Sequence, residues 1–184
     1  MTENRCFEKV DFSSLTGEEE FYDCRFVSCD FSEVLFREPL FERCEFQACN
    51  FSMTKFRNTL REIRFTDCKL MGTDFSGLKP FSSDLSFVRS RMDYANFSGV
   101  RLRKSRFQEC RLFEAAFDGA DLSGGLFERC DLERTLFDGT NLEGADFSTS
   151  YNFVINPGRC RLRKAVFPEA GLSGLLAHLD IKIV

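Results

Sequence analysis

Between Ala115 and Phe147 a large apolar residue returns at every fifth position: Phe117, Leu122, Phe127, Leu132, Phe137, Leu142 and Phe147. An α-helix needs apolar residues every three or four positions and a half-buried strand needs them every two, so neither element alone can bury this set on one side. The period extends over most of the chain. Taking the large residue as the centre of a five-residue unit, the centres are Phe7 and Phe12, then every fifth residue from Phe21 to Phe56, then Phe65, Leu70 and Phe75, and finally every fifth residue from Phe87 to Phe147. Nineteen of the 23 phenylalanines occupy centres, and such self-similarity marks a repeat architecture.

The residue two before each centre is mostly small: Ala95, Ser105, Cys110, Ala115, Ala120, Gly125, Cys130, Thr135, Thr140 and Ala145 in the longest block. In an extended segment, residues two apart point to the same side. Each unit therefore sends one large and one small side chain inward, and the other three residues supply an outer face and a bend. Seven of the 12 glycines fall two after a centre, where a tight bend favours positive φ. Short extended pieces joined by bends make a coil, and stacked coils bury a continuous core that no single repeat could bury.

The longest block favours four sides over three. Its centres alternate Phe and Leu from Phe87 onward, with Met92 the one substitute. With four sides, residues ten apart face each other and residues twenty apart stack, so Phe meets Phe and Leu meets Leu. Charges twenty apart also oppose: Arg89, Glu109 and Arg129; Arg101 and Asp121; Arg111 and Asp131; Glu114 and Arg134. The expectation is an all-β, four-sided parallel solenoid of seven to eight coils. Register breaks are expected at 13–20, 57–64 and 76–86.

Eight of the nine cysteines (24, 29, 44, 49, 68, 110, 130 and 160) take the small inward slot, where a free thiol behaves as a small hydrophobe; Cys6 does not. Stacked side chains projecting the same way are poorly placed for disulfides, and no inward His or carboxylate accompanies them as a metal ligand. No run of eighteen apolar residues is present, which excludes a spanning helix. Without an apolar leader in residues 1–12, the expectation is a soluble cytoplasmic protein with no membrane partner.

The units ADLSG (120–124), CDLER (130–134), TNLEG (140–144), ADFST (145–149), CDFSE (29–33), CNFSM (49–53) and TDFSG (73–77) resemble the motif of the pentapeptide-repeat family over about four fifths of the chain. The resemblance implies a right-handed quadrilateral β-helix. Length and tail are most similar to the Qnr-type quinolone-resistance proteins and the mycobacterial fluoroquinolone-resistance protein. Those relatives imply a rod-like DNA mimic that binds DNA gyrase or topoisomerase IV and dimerises through its C-terminal segment. The expected division is a β-helix over 1–170 and a capping, dimerising segment over 171–184. In that segment Leu172, Leu175, Leu176 and Leu179 have helical spacing, and Ile181 and Ile183 alternate like a short strand.

The chemistry points to binding rather than catalysis. The one histidine, His178, has no triad partner, the glycines follow the repeat, and no cofactor or metal site is expected. Asp11, Asp30, Asp74, Asp121, Asp131 and Asp146 precede centres, where a carboxylate can bond local backbone. Charge is unevenly spread: residues 1–59 carry −5, 60–112 carry +5, 113–150 carry −7 and 151–184 carry +3. The acidic block makes Asp118, Asp121, Glu128, Asp131, Asp138, Glu143 and Asp146 the candidate partner-binding surface, with Ser98, Asp118 and Asp138 stacked just after centres. The basic band from Arg61 to Arg111, with RLRKSR at 101–106, lacks interleaved aromatics, and no direct nucleic-acid binding is expected of it. Outward Leu35, Leu40, Phe113, Leu126 and Leu136 are candidate contacts. Two functions follow: a topoisomerase-binding DNA mimic, or an interaction scaffold for an unrelated protein.

Overall fold

The five-residue unit resolves into one side of a square coil. The structure, a computed structural model, describes residues 1–13, 19–37, 40–179 and 181–182. Along one side, parallel pairing runs from Cys6 to Arg25, Glu45, Arg64, Ser86, Arg106, Leu126, Asp146 and Val166. Nine rungs at about 4.8 Å make a shaft of roughly 38 Å. The other sides are shorter ladders, such as Lys55, Asp74, Asn96, Ala116 and Leu136, or Arg101, Asp121, Asn141 and Arg161. Every described pairing is parallel, which a continuously wound coil requires.

The centres fill the interior, and their rings tile in two ways. Up a column they stack nearly parallel: Phe87 on Phe107 at 5.0 Å, Phe107 on Phe127 at 4.7 Å and Phe127 on Phe147 at 4.5 Å. Within a coil they meet edge to face, Phe26 to Phe31 at 71° and Phe46 to Phe51 at 85°. This is how the all-Phe coils fit: the rings stack up their columns and most present an edge to the next side, as the aromatic quadrupole favours, while Phe36 and Phe56 tilt against Phe31 and Phe51 at 53° and 38°. In the later coils residues ten apart meet across the interior, Phe97 to Phe107 at 6.1 Å and 88°.

The small slot is a second interior column. Its thiols and hydroxyls donate to carbonyl oxygens there: Cys44 Sγ to Phe21 O at 3.4 Å, Cys130 Sγ to Phe107 O at 3.3 Å, and Thr135 Oγ1 to Leu112 O at 2.7 Å. All nine cysteines are free thiols, and seven are buried. Burial pushes the Cys44 thiol up to about 12.

The corner two after a centre is left-handed in most units, glycine or not, although Gly77 and Thr149 hold such corners without positive φ. Gly99 and Gly119 have φ of 71° and 68°, but Glu114, Lys104 and Arg134 adopt 52°, 60° and 58° at equivalent corners. Glu62 (51°) and Asp84 (53°) mark two centres outside the strict five-residue count, Leu60 and Ser82. Leu60 is fully buried inside the break at 57–64, which is one residue short. Ser82 fills a centre with a hydroxyl that accepts the Leu60 N–H at 3.1 Å. The two extra residues of the 76–86 break fall before it, and Phe81 is thrown outward, 74% exposed. Of the first break, residues 14–18 lie outside the described residues.

The C-terminal segment is less regular than its spacing suggests. A 3-10 turn at Glu169–Gly171 leads into a four-residue helix, Ser173–Leu176. Leu175 packs against the core, and Gly174 O accepts the Ile155 N–H at 3.1 Å. Leu172, Leu176, Leu179 and Ile181 stay exposed. Ile181 belongs to no strand: its N–H closes a turn onto Leu179 O at 2.9 Å, correcting the strand expected there. Ile183 lies outside the described residues.

Candidate partner-binding surface

The aspartates before centres do what the unit requires of them. Asp11, Asp30, Asp74, Asp121, Asp131 and Asp146 each accept the N–H of the residue two further on, at 2.8–3.3 Å. Asp74 illustrates the balance: burial raises its carboxyl, but bonds from Ser76 and Arg57 outweigh this and leave it below the usual range. Asp121, Asp131 and Asp146 therefore hold their own bends, whatever else they meet.

The seven candidate acids encircle the shaft. Asp118 and Asp138 follow centres on one side, Asp121 and Glu143 flank centres on the next, Glu128 and Asp146 lie on a third, and Asp131 is on the fourth. Three have cations beside them: Arg103 Nε lies 3.8 Å from Asp121, Arg129 pairs with Glu128, and Arg159 Nη2 donates to Asp138 Oδ2 at 2.6 Å. Among the described residues Asp118, Asp131, Glu143 and Asp146 have no ion-pair partner.

Asp118 and Asp138 stack as their spacing predicts. Gly99 and Gly119 donate N–H groups to the Asp118 and Asp138 carbonyls at 2.9 and 2.8 Å, and the Asp118 carboxylate accepts the Asp138 N–H at 2.8 Å. That bond and Arg159 offset the repulsion between the two acids. Their ladder stops at Leu136, because Asn156, Pro157 and Gly158 turn away instead of adding another rung. An open groove results, floored by Leu136, Phe137, Val154 and Ile155 and rimmed by Glu114, Asp118, Arg134, Asp138 and Arg159. Sequence spacing did not reveal it, because it exists only where the repeat fails. Cys160 lines it, and burial raises its thiol.

Cross-coil charges pair in part as expected. Arg129 meets Glu109 at 2.6 Å and Arg134 meets Glu114 at 3.0 Å. Three expectations are corrected. Arg89 reaches Asp67 at 2.8 Å rather than Glu109, Arg103 rather than Arg101 approaches Asp121, and Arg111 turns to Asp93 at 3.4 Å rather than Asp131. Asp93 was missed altogether. It is 2% exposed, with Oδ2 2.6 Å from Arg91 Nε and Oδ1 without a hydrogen-bond partner among the described residues. Arg111 and Arg134 both lie over the Phe113 ring, at 5.4 and 5.6 Å. Of the outward apolar residues, Leu136 and Leu35 are exposed, and Leu40, Phe113 and Leu126 are half-buried. His178 is exposed on the tail. Among the described residues, no group of three His, Cys, Asp or Glu side chains is placed to hold a metal, and no helix is long and apolar enough to cross a membrane.

Family models agree with this geometry. A pentapeptide repeat region matches residues 19–81, and pentapeptide repeats of eight copies match 83–117 and 115–150. The chain belongs to the pentapeptide-repeat family. Among solved structures it is similar to full-length QnrB1, a plasmid-mediated fluoroquinolone resistance protein, with a TM-score of 0.64 and 21% identity over 97% of this chain and 99% of that one. A trypsin-treated variant of QnrB1 gives a TM-score of 0.65 and 21% identity over 100% and 97%. At this identity the likeness establishes the fold. No curated protein sequence matches the chain.

Proposed function

We propose that this repeat protein is a non-catalytic binder of a type II topoisomerase, DNA gyrase in the first instance, and that it lowers quinolone sensitivity by occupying the enzyme's DNA-binding surface. The observation that carries the reading is the end-to-end structural match to QnrB1, combined with the −7 charge of residues 113–150 wrapped around the shaft. An acidic rod of this kind presents a basic channel with charge on every side. Asp118 is its sharpest element, since among the described residues it has no ion pair and it borders the groove. The exposed Leu172, Leu176, Leu179 and Ile181 fit a segment that pairs two shafts end to end, so the working form is a homodimer.

The test is binding of purified gyrase to wild type and to Asp118→Lys combined with Asp138→Lys. The reading expects the double variant to lose binding. Its melting temperature should fall only slightly, because the Asp138–Arg159 pair is exposed and such pairs contribute about 0.2–1 kcal/mol. Undiminished binding by a folded variant would overturn the mimicry. If wild type itself fails to bind, the second reading, a scaffold for an unrelated protein partner, takes its place; the half-buried ring of Phe113 under Arg111 and Arg134 is the kind of surface that favours it.

A further inference from the structure

The tetrapeptide Arg-Leu-Arg-Lys occurs twice, at 101–104 and 161–164. Sixty residues are three coils, and the ladder from Arg101 through Asp121 and Asn141 to Arg161 places both copies on one side of the shaft. The two rows are about 14 Å apart at about 4.8 Å per coil. Leu102 and Leu162 turn inward, and all six cations are exposed. Arg103 alone approaches an acid, Asp121 at 3.8 Å; among the described residues Arg101, Lys104, Arg161, Arg163 and Lys164 have no ion pair.

The two coils between the rows differ in kind. At the corner where the rows carry Lys104 and Lys164 they carry Gly124 and Gly144, and the Lys104 side chain lies beside Gly124. The Asp121 carboxylate is held down by the Ser123 N–H and by Asn141 Nδ2, at 3.1 and 3.0 Å, and Glu143 is exposed.

We propose that this side binds duplex nucleic acid, with one row of cations on each phosphate strand bordering a groove. Two positive rows with acids between them suit a ligand that has two anionic rails and a gap. A continuous anionic sheet, such as a lipid surface, would press its charge onto Glu143, and a single strand could engage both rows only by crossing that acid. The grooves of B-form DNA are about 6 and 12 Å wide, a range that arginine and lysine side chains rooted about 14 Å apart can span. The rest of this net-acidic chain repels phosphate, which orients the encounter. The proposal reverses the expectation drawn from the basic run alone. The second row is what changes the reading, because the fold brings it within three coils of the first. It stands apart from topoisomerase binding and is tested without that enzyme.

The experiment is fluorescence anisotropy of a DNA duplex of about 20 base pairs titrated with the full chain from about 25 to 200 mM salt. Six phosphate contacts predict a slope of log affinity on log salt of about −5, and three predict about −2.7. Wild type should follow the steeper slope. The triple variants R101Q/R103Q/K104Q and R161Q/R163Q/K164Q should each follow the shallower one and bind at least tenfold more weakly at low salt. K55Q/R64Q/K69Q, with the same charge change on exposed residues of other sides, should retain the wild-type slope. A single strand of the same length should bind at least tenfold more weakly than the duplex. The proposal is overturned if the duplex does not bind at the lowest salt, if the control triple weakens binding as much as the row variants, if the single strand binds equally well, or if anionic vesicles bind and the duplex does not. Circular dichroism melts confirm that each variant is folded.

Discussion

Replacing Phe107 by alanine tests the core where its packing is most quantitative. The ring is fully buried, lies flat between Phe87 at 5.0 Å and Phe127 at 4.7 Å, and meets the edges of Phe97 and Phe117 at 6.1 and 5.7 Å. Stacked backbones cannot close over the void without breaking the ladder through Arg106, so the cavity should persist. Phe→Ala in a rigid core costs about 3–5 kcal/mol, and four aromatic neighbours place this site near about 4. For a chain of this size that lowers the melting temperature by about 8–16 °C. Phe7 is the contrasting site: it belongs to the first coil, is only half-buried, and has a single stacked neighbour, Phe26 at 5.0 Å. Phe7→Ala should cost about 1–1.5 kcal/mol. Urea denaturation followed by circular dichroism measures both. A Phe107→Ala cost below about 1.5 kcal/mol, or equal costs at the two sites, would refute a core held by nearest-neighbour stacking along the shaft.

Three further outcomes follow from single sites. Ellman's reagent should label Cys6 at once in the native protein, Cys160 slowly, and the seven buried thiols only after denaturation. Arg89 holds the Asp67 carboxyl below the usual range, so the pair stabilises the fold above the unfolded value of about 3.9 and its contribution fades as pH falls through the lowered native value. Asp67→Asn should therefore be less stable than wild type at about pH 5 to 7, and the gap should close toward about pH 2 in melting experiments. Asp93→Ala removes a buried carboxylate from between Arg91 and Arg111; because both arginines are about half exposed, the loss should be about 1–2 kcal/mol by urea titration, below that for a fully buried pair.

Most of the fold could be read from the sequence because every unit obeys one local rule: large and small inward, polar outward. Phe117, Cys130 and Asp121 each fill the place their position in the unit assigns. The rule fails where tertiary context overrides side-chain size. Ser82 fills a centre because its hydroxyl satisfies a backbone N–H beside the two-residue insertion, and no size criterion selects a serine. Leu60 was lost because its coil is one residue short. Ion pairs were only half legible: spacing brings Arg111 level with Asp131, but long side chains choose among several acids, and Arg111 chose Asp93. The groove under Asp118 and Asp138 depends on where the ladder ends, which the repeat itself does not encode. The two RLRK rows were visible as letters, but their shared side follows from counting coils between them.

The measurement that bears most directly on function is a DNA gyrase supercoiling assay with the purified protein, with and without a quinolone. Topoisomerase binding predicts inhibition at micromolar protein or below, or rescue of supercoiling from the drug, and loss of either effect in the Asp118→Lys, Asp138→Lys variant. Supercoiling that is indifferent to the wild-type protein under both conditions would contradict it.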